Sequence, residues 1–350
     1  MTFSDTVNTI TREHIVPSVS DTILKGNVGL VRALSNSKSW RSGYRFDVPI
    51  KYQKSTVGGI VGVGGTLDTT RTVTRVKMQF QPQRLHKPVV VDDIEIAVNE
   101  GEERVLALLA TEMDSVAQDL TDDLGTYFYT GTGASGSSFD SILNAADDAT
   151  NFSTYGSLSR STYATLNASY TASVGALALT DLATSYDEVH IGSEKPTVIL
   201  TTRSIWSDYE ALLQPTVRAG YQMGGYPQMG RTGAPTTREA LRGDIGFDSV
   251  WFRGTPVVAD EKCTTQKIFM VNEKHFSFYG LDYPASLGYE KFNTGGKNID
   301  GPQNIPIPKG FNWSGLIRGQ NQPAEVGHFY FVGNFFSDNP RYLAQLTGVS

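Results

Sequence analysis

The sequence predicts an α+β chain in which a long β-hairpin, a long helix and a later α/β portion succeed one another. Three observations predict it. Apolar and polar residues alternate through both limbs of 43–91. A proline-free stretch, 99–130, repeats apolar residues at three- and four-residue steps. Beyond about residue 176, short β-branched runs and helical patterns take turns.

Residues 1–42 read as an arm. Ile10, Ile15, Val16, Val19, Ile23 and Leu24 are scattered, Pro17 interrupts them, and Gly26 and Gly29 loosen the stretch after them. Such a segment cannot build a core, so it must lie on something else. From 2 to 54 it carries Arg12, Lys25, Arg32, Lys38, Arg41, Arg45, Lys51 and Lys54 against Asp5, Glu13, Asp21 and Asp47, a net of +4.

In the hairpin, Tyr44, Phe46, Val48 and Ile50 share one face, and Val73, Val76, Met78 and Phe80 answer them on the return. Between the limbs lies a glycine-rich apolar tip, 57–65, with Ile60 and Val61 at its end. The limbs carry Lys51, Lys54, Arg71, Arg75, Lys77, Arg84 and Lys87 against Asp68, a net of +6. A two-stranded hairpin is marginal alone in water. It needs a surface, either its own helix or the same helix in a neighbouring copy.

The helical stretch places Val105, Leu108, Leu109, Met113, Val116, Leu120, Leu124 and Phe128 on one face. Asn99 can cap its start, and Gly131, Gly133 and Gly136 end it. As a helix it is a rod of roughly 40 Å. The segment 92–123 holds eleven acids, among them Glu102, Glu103, Glu112 and Asp119, against Arg104, a net of −10. Complementarity of this size orients partners more than it adds affinity.

From 131 to 176 the pattern is weak. A helix comes next at 177–189, then a buried strand at 196–202, and a helix capped by Thr202 or Ser204 that runs to Leu213. Residues 219–235 read as loop. Short strands at 249–252 and 255–259 pair around Gly254, two more stand at 267–271 and 275–279, and 281–312 is mostly loop. A last strand pair is expected at 311–319 and 327–336. Trp206 and Trp251 sit in apolar segments and read as core.

Composition narrows the function. The chain of 350 residues is 39% hydrophobic and 19% charged, a core-forming balance. Its net charge of −6 disfavours nucleic-acid binding by the whole surface and leaves a local basic patch open. The single cysteine, Cys263, excludes an intramolecular disulfide framework and suits synthesis in a reducing cytoplasm. No apolar run reaches the length of a membrane span, and 1–15 has no signal-peptide core. Gly131, Gly133 and Gly136 match a dinucleotide string, but after a helix rather than after a strand. No phosphate-binding P-loop and no nucleophile elbow occur. His14, His86, His190, His275 and His328 show no ligand spacing on a helix face. The acidic pairs Asp92-Asp93, Asp122-Asp123 and Asp147-Asp148 lack a calcium-loop pattern and read as solvated carboxylates. No residue is assigned to catalysis, to a cofactor or to a metal. A hydrolase would need a pocket of convergent titratable groups, and no motif marks one.

Three stretches carry a family likeness. These are Pro-Thr-Val-Ile-Leu-Thr-Thr-Arg-Ser-Ile-Trp-Ser-Asp-Tyr at 196–209, Gly-Thr-Pro-Val-Val-Ala-Asp at 254–260 with 267–271 behind it, and Gly-Asn-Phe-Phe-Ser-Asp-Asn-Pro-Arg at 333–341 with 346–349. In this order, behind an arm, a basic hairpin and an acidic helix, the chain resembles the major capsid proteins of tailed bacteriophages, the Hong Kong 97-type family. The resemblance implies an N-terminal arm (1–42), an extended loop (43–91), a peripheral domain with a spine helix (92–175 and 326–350) and an axial domain (176–325). It implies a non-enzymatic subunit, made in the host cytoplasm, that forms hexamers and pentamers of an icosahedral virion shell. Double-stranded DNA would touch the inner surface without sequence specificity. A separate scaffold protein, a portal and cement proteins are the implied partners, with no membrane. The lysine–asparagine crosslinking of some relatives is not carried over, because no partner asparagine or catalytic glutamate matches. Encapsulin compartments share the fold and hold enzymes instead of DNA. The expected contacts between subunits are Lys51, Lys54, Ile60, Val61, Arg71, Arg75, Lys77 and Arg84 of one copy and Glu102, Glu103, Glu112 and Asp119 of its neighbour.

Overall fold

The computed structural model describes residues 27–40, 43–98, 102–134, 137–223, 250–281, 310–318 and 323–350; side chains at 96–98, 102–111, 114 and 214–223 fall outside that description. Its strands, in chain order, are β1 (Lys38–Ser39), β2 (Phe46–Lys51), β3 (Arg75–Phe80), β4 (Gln83–Asp92), β5 (Thr154–Tyr155), β6 (Leu158–Ser159), β7 (Ser169–Thr171), β8 (Val198–Thr201) and β9 (Val250–Phe252). After these come β10 (Thr255–Ala259), β11 (Lys267–Val271), β12 (Phe276–Gly280), β13 (Phe311–Trp313), β14 (Ile317–Arg318), β15 (Ala324–Ser337) and β16 (Ala344–Thr347).

Two larger sheets organise these strands. In the first, β15 is the axis. It runs antiparallel to β4 from Asp92 opposite Ala324 to Gln83 opposite Gly333, and it also pairs β12, β13 and β14. In the second, the order is β7-β16-β11-β8-β10-β9. Its central strand β8 is Val-Ile-Leu-Thr, buried at every position, as a strand covered on both faces must be. It lies parallel to β10 and antiparallel to β11.

The long helix Glu102–Thr130 packs on the first sheet. Leu120, Leu124 and Phe128, one turn apart, are buried, while Asp119 on the same turns is exposed. Phe128 meets Phe335 edge-on at 5.4 Å between ring centroids, and Phe335 meets Phe278 at 5.0 Å. These aromatic contacts, with Phe276, Phe329 and Phe331, form the first core. A second core joins Leu182, Tyr186, Ile199, Ile205, Tyr209, Val257, Met270 and Leu346.

Four expectations need correction. The hairpin is shorter than 43–91: β2 and β3 pair only from Phe46 opposite Phe80 to Lys51 opposite Arg75, and β4 leaves them for the first sheet. The alternation of 83–91 is real, but it belongs to a sheet strand beside β15. The arm lies partly on its own chain. The helix Val28–Ser35 buries Val28, Leu30, Ala33 and Leu34, so the short run after Gly26 is a core element; residues 1–26 lie outside the described residues. The helix begun at Arg203 continues through Pro215 to Met223, past the expected end at Leu213. Trp206 is half-buried and donates its indole N–H to the Val257 carbonyl at 3.2 Å, whereas Trp251 is 41% exposed on β9. At the helix start, Asn99 and Glu100 lie outside the described residues.

The turn after the long helix explains its glycines. A Cβ on Gly133, at φ +70°, would stand 2.2 Å from the Asp140 carboxylate. Asp140 is buried, accepting amide N–H groups from Asn144 at 2.9 Å and Asn334 at 2.8 Å. Burial pushes its pKa up to about 6, against the pull of those two amides and of Arg160. For a carboxyl raised in the folded state, the protonated form is the stabilising one. That contribution is complete below the unfolded value of about 3.9 and is lost as pH rises through about 6. The span is worth roughly 3 kcal/mol. Stability of the wild type relative to Asp140→Asn should therefore rise as pH falls from about 7 to 4, in urea titrations at each pH. A constant difference would contradict the assignment.

Candidate subunit interface

The β2–β3 pair is anchored at its base by aromatic stacking. Phe46 lies against Phe80 at 5.2 Å and Tyr279 at 4.6 Å, and Met78 and Phe80 are buried. Gly156 fits there because a Cβ would stand 2.7 Å from Met78. The next rung is Tyr52. Its ring meets Tyr163 at 5.0 Å, its carbonyl accepts the Thr165 hydroxyl at 2.7 Å, and its own hydroxyl bonds to the Val73 carbonyl at 3.1 Å.

Beyond Tyr52 and Val73 the loop has no regular structure. The hydrogen bonds found there are local, such as Gly65 N–H to Gly62 O at 3.0 Å and Thr70 N–H to Asp68 at 2.9 Å. Ile60 and Val63 are fully exposed, Leu67 and Val73 more than two-thirds so, and Val61 is exposed. Five apolar side chains in water on one loop cost free energy that burial against another surface would recover. Ile60 and Val61 are the two that the sequence singles out. Val63 and Leu67 escape it, although the same glycine-spaced apolar pattern runs through them. Val73, expected inside the hairpin, stands where the strand pairing does not reach.

The charges divide into three groups. Lys77 is paired in its own hairpin, with Asp47 at 3.1 Å. Lys87, on the opposite face of β4, reaches Asp123 of the same chain's helix at 2.7 Å, and Lys262 pairs with Asp122. Asp123 raises the Lys87 pKa. Part of the complementarity between hairpin and helix is therefore intramolecular. Lys51 and Arg75 are the third group. They stand directly opposite each other at the last rung of the ladder, both exposed. Like charges facing across strands are destabilising. Lys54 and Arg71 continue the basic stretch into the loop, both exposed. Arg84 is remote from this group, its guanidinium 5.5 Å from the Tyr330 ring centre. On the acidic side, Asp119 is exposed and Glu112 half-buried; the side chains of Glu102 and Glu103 lie outside the described part. The structure thus places Lys51, Arg75, Lys54 and Arg71 on one exposed loop and its base with Ile60 and Val61, and among the described residues no ion pair joins them to Glu112 or Asp119 of their own chain.

A second exposed apolar set lies at the far end of the first sheet. Ile317 pairs with Val326, which pairs with Val90, and Ile94 stands just beyond β4. Val90, Ile94 and Ile317 are each more than half exposed. Among the described residues no three metal-ligating side chains cluster, and no helix is long and apolar enough to cross a membrane.

At the level of sequence, no protein-family model and no curated protein matches the chain. Solved structures do. The cyanophage A-1(L) capsid subunit superposes with a TM-score of 0.67 at 14% identity, over 99% of each chain. A capsid chain of cyanophage P-SCSP1u gives 0.53 at 13% identity, over 97% of this chain and 94% of its own. The chain has the Hong Kong 97-type capsid fold. A chain of the holo-SrpI encapsulin complex from Synechococcus elongatus PCC 7942 is also similar, with a TM-score of 0.57 at 10% identity over 100% of this chain and 96% of that one. Within the Hong Kong 97-type fold the element order is the expected one, with a projecting loop, a long helix and a late strand, β15, that returns beside β4.

Proposed function

We propose that this chain is a major capsid protein that self-assembles into the icosahedral head shell of a tailed phage and encloses its double-stranded DNA. The observation that carries the reading is the loop 52–74, which exposes five apolar side chains above a like-charge Lys51–Arg75 rung on a fold shared over its full length with capsid structures. Such a loop is complete only against another copy. Head-to-tail contacts of this kind close into rings, here the hexamers and pentamers of a shell. In this reading the loop's Lys51, Lys54, Arg71 and Arg75 face the neighbour's Glu102, Glu103, Glu112 and Asp119, and Ile60 and Val61 bury on apolar surface. The chain does no chemistry. It resides in the virion, with a separate scaffold protein, a portal and cement proteins as partners and DNA against the inner surface.

Electron microscopy of the purified protein tests this. Closed icosahedral particles are expected, and a chain that stays monomeric at high concentration sinks it. The encapsulin likeness supports a second reading, a protein-filled compartment. Nucleic acid inside particles from the native source supports the first, and protein cargo the second.

The arm enters the same reading in reduced form. Because Val28 to Leu34 are core, only residues before Asn27 are candidates for reaching a neighbour. Deleting 1–25 should lower the yield of particles and leave the thermal melt of the subunit unchanged. Unchanged assembly would remove the arm from the interface.

A further inference from the structure

Val90, Val326 and Ile317 form one row across β4, β15 and β14, each directly opposite the next. Residues directly opposite on neighbouring strands share a sheet face, so the three side chains point the same way. At the usual strand spacing the row is roughly 10 Å wide. Val90 is 51% and Ile317 65% exposed, with Val326 half-buried between them. At the end of β4 the Asp92 carboxylate accepts the Ile94 N–H at 2.8 Å. The short helix Asp93–Val98 starts there and leaves Ile94 58% exposed.

The rim of this row is acidic. Segments 90–95 and 315–326 carry Asp92, Asp93, Glu95 and Glu325 against Arg318, a net of −3. Arg318 is engaged by Asp93. Among the described residues no ion pair reaches Asp92, Glu95 or Glu325. An apolar centre inside a charged rim is the anatomy of a protein interface.

We infer that this face is the seat of the loop 52–74 of a second copy, with Ile60 and Val61 on the Val90–Val326–Ile317 row. The seat rests on the assembly reading and gives the loop tip its apolar surface. Charge selects the occupant. From 51 to 75 the chain carries Lys51, Lys54, Arg71 and Arg75 against Asp68, a net of +3, equal and opposite to the rim. Residues 1–26, the other apolar segment of the chain that a neighbour could supply, carry Arg12 and Lys25 against Asp5, Glu13 and Asp21, a net of −1. They would bring like charge to the rim, which costs specificity and on-rate. The apolar content fits as well, since Ile60, Val61 and Val63 are exposed on the loop as Val90, Ile94 and Ile317 are on the sheet. With Ile60 on the row, Lys54 lies within roughly 20 Å of extended chain, so the bases of the loop reach the acids of the rim.

The test is crosslinking in assembled particles. The native Cys263 is buried, so cysteines placed on the surface react with a short bismaleimide in its stead. Ile60→Cys combined with Ile317→Cys should give a ladder of linked chains on a denaturing gel, and neither single variant should. Ile60→Cys with Asp119→Cys tests the exposed helix face as the seat, and a ladder there in place of the first overturns the inference. A ladder from Ile15→Cys with Ile317→Cys, and none from Ile60→Cys, gives the face to the arm and also overturns it. Ile317→Ser should raise the critical concentration for assembly about tenfold, at low and high salt alike, with the thermal melt of the subunit unchanged. An unchanged critical concentration counts against the seat. Wild-type particles whose double variant shows no ladder overturn the seat and leave the assembly reading standing, whereas a wild type that never assembles overturns both.

Discussion

Reversing Arg71 and Arg75 to glutamate is expected to prevent assembly at low salt while leaving the subunit folded. Both residues sit where the loop leaves the body of the protein, and neither supports the fold there. Arg75 does the reverse, since Lys51 faces it across the ladder. Arg75→Glu turns that like-charge rung into an opposite-charge pair, so the isolated subunit should gain a few tenths of a kcal/mol in thermal stability. Assembly should move the other way. Each exposed ion pair across the interface is worth only about 0–1 kcal/mol. A shell repeats the contact in every subunit, so small terms accumulate. Opposite effects on folding and on assembly separate an interface residue from a structural one. Lys77 is unsuitable for this test because it pairs with Asp47 in its own hairpin. Raising salt should weaken wild-type assembly, since charges are screened beyond roughly 8 Å at 0.15 M, and should matter less for the apolar tip. Glu112→Lys with Asp119→Lys should restore part of the assembly of the reversed loop. Light scattering across a salt series with negative-stain microscopy reads all of this. Normal particles from the reversed loop at low salt would mean that the loop charges do not meet a neighbour's acids.

One physical rule separates the legible parts of the sequence from the hidden ones: local periodicity shows, and the identity of a distant partner does not. The long helix is legible because Leu120, Leu124 and Phe128 repeat at a single period over many turns. The strand β8 is legible because only a central strand tolerates four buried residues in a row. The hairpin reads too long because alternation gives the face of a strand and not its partner. Residues 83–91 alternate as well beside β15 as they would beside β2. Val28 to Leu34 reads as too sparse for a core because its partners, Tyr129 and Asp260, are distant in sequence. Glycine there signals looseness, whereas Gly29 is needed for contact: a Cβ would stand 2.6 Å from the Tyr129 hydroxyl. The basic and acidic residues of the interface are visible as composition. Which of them pair at home is not, since Lys87 and Asp123 meet only once β4 lies beside the helix.

The largest expected loss of stability from one side chain is that of Asp260→Ala. Asp260 follows β10 directly and is buried, its carboxylate held by three donors. One oxygen accepts the Gly29 backbone N–H at 2.9 Å and the Tyr129 hydroxyl at 2.8 Å, and the other accepts the Lys262 N–H at 3.0 Å. A single carboxylate thus ties the 28–35 helix and the last turn of the long helix to the second sheet. Burial raises its pKa, and the bonds from Gly29, Lys262 and Tyr129 oppose that rise. Removing it relieves the desolvation of one group and leaves two buried donors, at about 1–3 kcal/mol each, and the half-buried Lys262 N–H without an acceptor. The net loss should be roughly 3–5 kcal/mol, or about 4–7 °C in the melting temperature. Asp260→Asn retains one acceptor oxygen and turns an amide N–H₂ toward a donor, so it should lose less. The location of the damage is the sharper test. Hydrogen exchange should accelerate at 28–35 before it does in β8 or β11, because that helix loses its pin while the strands keep their ladders. Wild-type melting for Asp260→Ala, or acceleration spread evenly over both sheets, would show that the helix is held by the apolar contacts of Leu30 and Leu34 alone.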